Sequence, residues 1–196
     1  MNLNRRHFLL GSAASVALVG SASTKIAPRK LAAGEKANVA MIGLGIQGRT
    51  ALLPQFLGQY DRGAKVVVCC DCDKDRREDG AKRVDDYYSK RKIQSACKAV
   101  ADFRDVLKDP TIDMVCIATP DHWHAYMAVE AMKAGKDVYC EKPLTHTVEE
   151  AKAVMAAAAK YGRILQTGAM QRSGIEWKSA TARHAVPGTP SCGLAA

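Results

Sequence analysis

The stretch from Val39 to Gly48 reads V-A-M-I-G-L-G-I-Q-G, an apolar run followed at once by Gly43, Gly45 and Gly48. This is G-x-G-x-x-G at the point where a buried strand turns into a helix, and each glycine has a separate physical reason. The first permits a tight turn, the second lets the backbone approach a pyrophosphate, and the third lets the helix pack close to the strand. A dinucleotide bound there would set its phosphates at the positive N-terminus of a helix starting near Ile46. The ten residues alone also suit an ordinary strand-turn-helix corner, so the neighbouring segments decide the matter.

Those neighbours alternate. Strands are expected at about Asn38 to Ile42, Ala64 to Cys70, Cys97 to Val100, Met114 to Ala118, Asp137 to Cys140 and Ile164 to Thr167. Helices are expected at about Gln47 to Tyr60, Lys74 to Lys90, Phe103 to Leu107, Trp123 to Ala134 and Thr147 to Tyr161. Pro54 falls inside the first helix and must sit in its first turns or kink it, because proline removes a backbone donor. Asp73 suits a helix N-cap. Thr147 with Glu150 forms a capping box, and Gly162 ends that helix. The strands are continuous apolar runs, which implies a parallel sheet buried on both faces, an α/β doubly wound fold. The glycine loop, Asp71, Thr119 and Glu141 all fall at carboxyl ends of strands, where such folds bind ligands. Asp71 lies 23 residues after Gly48 at the end of the second strand. An acid there accepts the ribose hydroxyls and repels a 2′-phosphate, so NAD is expected over NADP.

Bulk properties narrow the function classes. A chain of 196 residues with 47% hydrophobic and 25% charged residues suits one globular domain, or one and part of a second. The net charge is +9, but basic residues are interleaved with acids, as in Lys74-Asp75-Arg76-Arg77-Glu78-Asp79. That pattern reads as solvated helix faces, with no nucleic-acid partner expected. The seven cysteines are an odd number. Cys69 and Cys72 form C-x-x-C, yet no second pair follows to complete a metal site. Cys69, Cys70, Cys116 and Cys140 lie in apolar strand runs, where cysteine acts as a small hydrophobe, and a disulfide scaffold is not expected. His122 and His124 have a ligand-like spacing without a third partner, so no metal is expected. His146 reads as a solvated turn residue and Tyr139 as strand packing.

The N-terminus reads differently. Arg5-Arg6 precedes an apolar or small run of 13 residues, Phe8 to Gly20, and Gly20-Ser21-Ala22 suits a cleavage site. This is the pattern of a twin-arginine export signal, which implies the export machinery as a partner and a periplasmic or extracytoplasmic location. Thr24 to Lys36 reads as a linker. The division expected is signal and linker over 1–35, a dinucleotide-binding domain over 36–172, and an aberrant tail over 173–196.

With these residues in view, 37–174 resembles the N-terminal Rossmann domain of the Gfo/Idh/MocA oxidoreductases. The likeness rests on G-L-G-I-Q-G at 43–48, A-T-P-D-H-W-H at 118–124 and E-K-P-L at 141–144. The resemblance implies that Gly43, Gly45, Ile46, Gln47 and Gly48 cradle the pyrophosphate and that Asp71 binds the adenosine ribose. It implies that Thr119, Pro120 and His124 line the nicotinamide side, with Glu141 and Lys142 beside the ring. Lys142 would reach the substrate hydroxyl or assist its proton transfer, with a pKa brought toward neutrality by partial desolvation and a cationic ring. Pro143 follows a special backbone turn in this motif, and Gln171 and Arg172 match the exit from the domain.

The family acts by hydride transfer between nicotinamide and a carbon of a sugar or polyol. Members continue into a second α/β domain that carries the substrate pocket and oligomer interface. Here the likeness fails from about Thr181, and Ala185 to Gly193 has loop composition. The expectation is a truncated form lacking the C-terminal domain. It would bind the cofactor weakly or not at all, turn over little, and expose an apolar patch. Two other readings stay open: an NAD-using glycoside hydrolase of the same build, and a non-catalytic nucleotide-binding fragment.

Overall fold

The computed structural model describes Arg29 and residues 31–169. The twin-arginine segment, Gln171, Arg172, Cys192 and the expected tail lie outside the described residues. Six strands form one sheet: β1 (Ala37–Ile42), β2 (Ala64–Cys70), β3 (Lys98–Val100), β4 (Met114–Ile117), β5 (Asp137–Glu141) and β6 (Leu165–Gly168). Every neighbouring pair is parallel, in the order β3-β2-β1-β4-β5-β6. The helices are α1, a π-helical turn Gln47–Leu52 running into Leu53–Leu57; α2 (Lys74–Lys90); α3 (Phe103–Lys108); α4 (His124–Lys133); and α5 (Val148–Tyr161).

The apolar strands are explained by two cores, one on each face. Val39, Met41, Val66 and Cys69 pack with Leu52, Leu53 and Leu57 of α1 and with Val84 and Tyr88 of α2. Ala40, Ile42, Val115, Ile117 and Val138 pack against α3, α4 and α5, through Val106, Ala128, Met132 and Val154 among others. Successive strand residues point to opposite faces, so a strand covered on both sides must be apolar throughout. The β1–β2 register shifts between Val39 and Ala40, whose partners are Val66 and Val68. The added residue, Val67, turns toward the same core as Val68, and Cys69 thereby faces α2. Next to this irregularity the buried Tyr88 hydroxyl accepts the Val66 N–H at 3.0 Å.

The caps follow the sequence. Asp73 accepts from the N–H groups of Asp75 and Arg76 at the start of α2, and Thr147 Oγ1 accepts from Glu150 N–H at 3.1 Å. The Glu150 carboxylate takes the His146 N–H at 2.7 Å, one residue earlier than the usual capping box. α5 ends at Gly162 with φ +61°. The first helix departs from expectation. It does not run evenly to Tyr60, because Pro54 offers no N–H to Thr50. Upstream the ladder opens to i→i+5, with Leu53 N–H on Gly48 O. Pro54 then sits in the first turn of the α-helical part, and Tyr60–Arg62 is a separate 3₁₀ turn.

Candidate functional site

The strand order reverses direction between β1 and β4, so the loops after these two strands diverge and open a crevice at their carboxyl ends. The glycine loop forms one wall. Gly43 has φ +89°, and a Cβ there would stand 2.6 Å from Ala118 C and Thr119 N. A Cβ on Gly48 would stand 2.1 Å from Gly43 O. Both glycines are thus required by the protein's own packing. Gly45 is different: its φ is not positive and a Cβ would meet nothing within 4 Å. It borders a cavity of about 720 Å³ that Gly43, Ile46, Gln47, Asp71, Thr119 and Pro120 also line. Nothing in the fold requires the missing side chain at Gly45, whereas a pyrophosphate brought close to the backbone would require it.

The start of α1 agrees. Ile46 occupies the N-cap position, 80% exposed, and no side chain caps the turn. The first N–H groups of a helix have no partner within the helix, and this end is open to an anion.

Asp71 is half-buried at the end of β2. Its Oδ2 accepts the Leu44 N–H at 2.7 Å and its Oδ1 the Asp73 N–H at 2.9 Å. It therefore braces the glycine loop against the start of α2, and a carboxylate oxygen retains a second lone pair for a ligand hydroxyl. Arg77 Nη1 donates to Cys72 O at 3.1 Å, closing the same turn.

On the other side Thr119 and Pro120 line the cavity, but His124 does not. The His124 ring is 2% exposed. Its Nε2 lies 2.9 Å from Thr119 O and its Nδ1 2.7 Å from Pro143 O. Both ring nitrogens face backbone carbonyls, a neutral ring donating to one of the two, and His124 acts as a pin between the loops after β4 and β5. The peptide bond between Lys142 and Pro143 is cis.

Glu141 is buried at 4% exposure, and its Oε2 accepts the Lys142 N–H at 3.2 Å. Gln47 Nε2 makes a long contact of 3.4 Å to Glu141 Oε1, linking the glycine loop to the end of β5. A Cβ on Gly168 would come within 2.8 Å of both Glu141 Oε1 and the Tyr139 hydroxyl. Burial and the Glu141 carboxylate push the Tyr139 phenol up to about 12, and its ring packs edge-on against Phe56. Lys142 is exposed. The partial desolvation expected for it is absent, because no described element covers the loop after β5.

The cavity is also lined by residues the sequence reading passed over: Arg76, Asp102, Phe103, Arg104, Trp123 and Met127. Asp102 and Phe103 follow β3, so the rule that ligands bind at carboxyl ends of strands reaches them when applied to that short strand. His146 is the exposed turn residue expected and makes a contact besides, holding Asp121 at 3.2 Å. This second tie between the loops after β4 and β5 holds the Asp121 carboxyl below the usual carboxylate range. The C-x-x-C cysteines do not act together: Cys69 turns to Cys97, and Cys72 lies beside the Asp71 carboxylate. Among the described residues no group of three or more His, Cys, Asp or Glu side chains is placed to hold a metal.

The model of a family described as "Oxidoreductase family, NAD-binding Rossmann fold" (GFO_IDH_MocA) matches residues 37–169. Levoglucosan dehydrogenase of Pseudarthrobacter phenanthrenivorans is 34% identical over 61% of this chain and 30% of its own. Inositol 2-dehydrogenase of Mycolicibacterium smegmatis is 32% identical over 71% of this chain and 37% of its own. A glycosyl hydrolase family 109 protein of Shewanella pealeana is 29% identical over 82% of this chain and 38% of its own. Among solved structures, an NAD binding oxidoreductase from Klebsiella pneumoniae superposes with TM-score 0.63 at 27% identity, covering 76% of this chain and 39% of that one. The 3-ketoreductase KijD10 of Actinomadura kijaniata, in complex with NADP, gives TM-score 0.64 at 22% identity, over 77% of this chain and 44% of that one, and so shares the fold. The chain spans between 21% and 39% of the length of the first curated relatives it matches.

Proposed function

The chain belongs to the Gfo/Idh/MocA family of oxidoreductases with an NAD-binding Rossmann fold, and from that premise we propose that it carries the cofactor half of a dehydrogenase acting on a sugar or polyol. The observation that carries this reading is Gly45: a side chain is missing where only a ligand would need the space. In this reading Gly43, Gly45, Ile46, Gln47 and Gly48 form the loop that cradles the pyrophosphate, with the Gly43 N–H itself given to Cys70 O, and Asp71 holds the adenosine ribose. Asp71 favours NAD, since a carboxylate repels a 2′-phosphate. The bound nicotinamide supplies the hydride chemistry. The chain's own part is to bind, orient and move a proton. Glu141 and the His124 pin set the loop that carries Lys142, and Lys142, once a second domain covers it, reaches the substrate hydroxyl or assists its proton transfer. The rest of the substrate pocket would come from a second domain. The twin-arginine motif at Arg5-Arg6 supports export to the periplasm.

Isothermal titration of the purified chain with NAD, NADH, NADP and NADPH tests the cofactor reading. NAD(H) is expected to bind at least tenfold more tightly than NADP(H), and equal or reversed affinities overturn the role given to Asp71. For Lys142→Ala the expected outcome is unchanged NAD affinity, with loss of any turnover on a sugar panel.

A second reading has one observation in its favour. The alignment to the glycosyl hydrolase family 109 protein covers 82% of this chain, more than the dehydrogenase alignments. An NAD-using glycosidase would release p-nitrophenol from p-nitrophenyl N-acetylgalactosaminide with catalytic NAD, where a dehydrogenase would reduce NAD stoichiometrically and release none.

A further inference from the structure

Two thiols outside the dinucleotide site lie side by side. β2 and β3 are parallel, with Cys69 opposite Ala99. Side chains two residues apart on a strand share a face, so Cys97, two before Ala99, falls on the face of Cys69. Their sulfurs are 3.8 Å apart. A disulfide needs about 2.05 Å, and the remaining approach falls on the most yielding part of the sheet. β3 has three residues, stands at the sheet edge, and exposes Lys98 and Ala99. Access is asymmetric: Cys97 is half-buried and Cys69 fully buried. Cys72, the exposed cysteine among the described residues, sits beside Asp71 instead.

We propose that Cys69 and Cys97 are a redox dithiol that a small-molecule disulfide converts into an intramolecular disulfide. The Cys97 thiolate attacks one sulfur of the oxidant and expels its other half as a thiol. The Cys69 sulfur then attacks Cys97 Sγ in the mixed disulfide and expels the second half. Two protein thiols become one S–S bond, and one oxidant disulfide becomes two thiols. Cys97 is the entry point because an oxidant reaches it. Burial, which persists in the mixed disulfide, raises the Cys69 thiol above its ordinary range, so the second step is the slow one and quickens with pH. The new bond would close the chain around α2 and fasten the β3 edge to β2. The pair would stay reduced in a cytosol kept reducing by thiols and would oxidise outside it.

The test uses the full chain, reduced, desalted and incubated with oxidised glutathione at about pH 8. It is then digested in acid without reductant and mapped by mass spectrometry. The expected result is loss of two thiols per chain and a peptide pair joined through Cys69 and Cys97. Melting should rise by about 5 °C, and dithiothreitol should reverse it. Cys72→Ser should behave as the parent, and Cys97→Ser should lose both linkage and shift. Glutathione stalled on Cys97, linkage of Cys97 to Cys72, or retention of both thiols under excess oxidant would each overturn the proposal.

Discussion

Gly45 and Gly48 stand three residues apart in one motif, and their surroundings give them opposite roles. An added Cβ at Gly48 would press on Gly43 O at 2.1 Å, a backbone atom that cannot step aside. Gly48→Ala should therefore cost about 3 kcal/mol of stability or more, read from urea unfolding. Gly45→Ala should change stability by less than about 1 kcal/mol, since the new methyl group enters open space. It should weaken NAD binding about tenfold or more, because that space is where the backbone would meet the phosphates. A Gly45→Ala variant that binds NAD as tightly as the parent would remove the main support for the site. His124 calls for a different measurement. Its replacement by Ala removes a buried ring and its part-buried contacts to Thr119 O and Pro143 O, at a cost of about 1–3 kcal/mol. NAD affinity should fall less than for Gly45→Ala, because the ring does not line the cavity.

α3 shows how much a short helix owes to its cap. It has six residues, and Asp102 accepts the Arg104 N–H at 2.8 Å at its start. That backbone bond, with Arg104's guanidinium also beside it, holds the Asp102 carboxyl below its ordinary 3.8. A carboxyl depressed in the folded state stabilises the fold above the unfolded value, and the gain is lost as pH falls through the folded one. Asp102→Asn should therefore match the parent near pH 7, since asparagine also caps. Below about pH 4 it should lose less stability than the parent does. Asp102→Ala should cost about 1 kcal/mol near pH 7. Thermal melts of the three proteins between neutral and acid pH provide the check. The caps at Asp73 and Thr147 were legible in the sequence because each bonds within two or three residues of itself, whereas the Asp102 cap, of the same local kind, was passed over. The β1–β2 register was not. Val66-Val67-Val68 is apolar on either face, so a bulge moves residues between two buried cores without changing the pattern. The π-helical turn was half legible: Pro54 announces a disturbance, while its form depends on how Gly48 seats against Gly43.

At the scale of the whole molecule, the sheet order brings together segments far apart in the chain. The doubly wound architecture was readable because burial on both faces leaves continuous apolar strands, and four loops at strand ends carried the chemistry. What could not be read is which of those loops share one cavity. Asp71, Thr119 and the glycine loop do, joined by Asp102, Phe103 and Trp123, whereas His124, Glu141 and Lys142 stand outside its lining. Side-chain direction and cover decide this, and neither leaves a local sequence signal. The division has a consequence for partial ligands. The cavity reaches from the glycine loop to the β3 end, so the chain should recognise the adenosine and pyrophosphate end of a dinucleotide more strongly than the nicotinamide end. A ligand at 100 times its Kd adds about 2.7 kcal/mol of stability, a melting shift of about 6 °C for a domain of this size. Adenosine diphosphate ribose should reproduce most of the shift produced by NAD at equal concentration, and nicotinamide mononucleotide should give less than about 1 °C. Gly45→Ala should diminish both larger shifts together. If nicotinamide mononucleotide matches NAD while adenosine diphosphate ribose does nothing, binding is centred on the Lys142 loop, and the assignment of the pyrophosphate to the β1–β4 crevice fails.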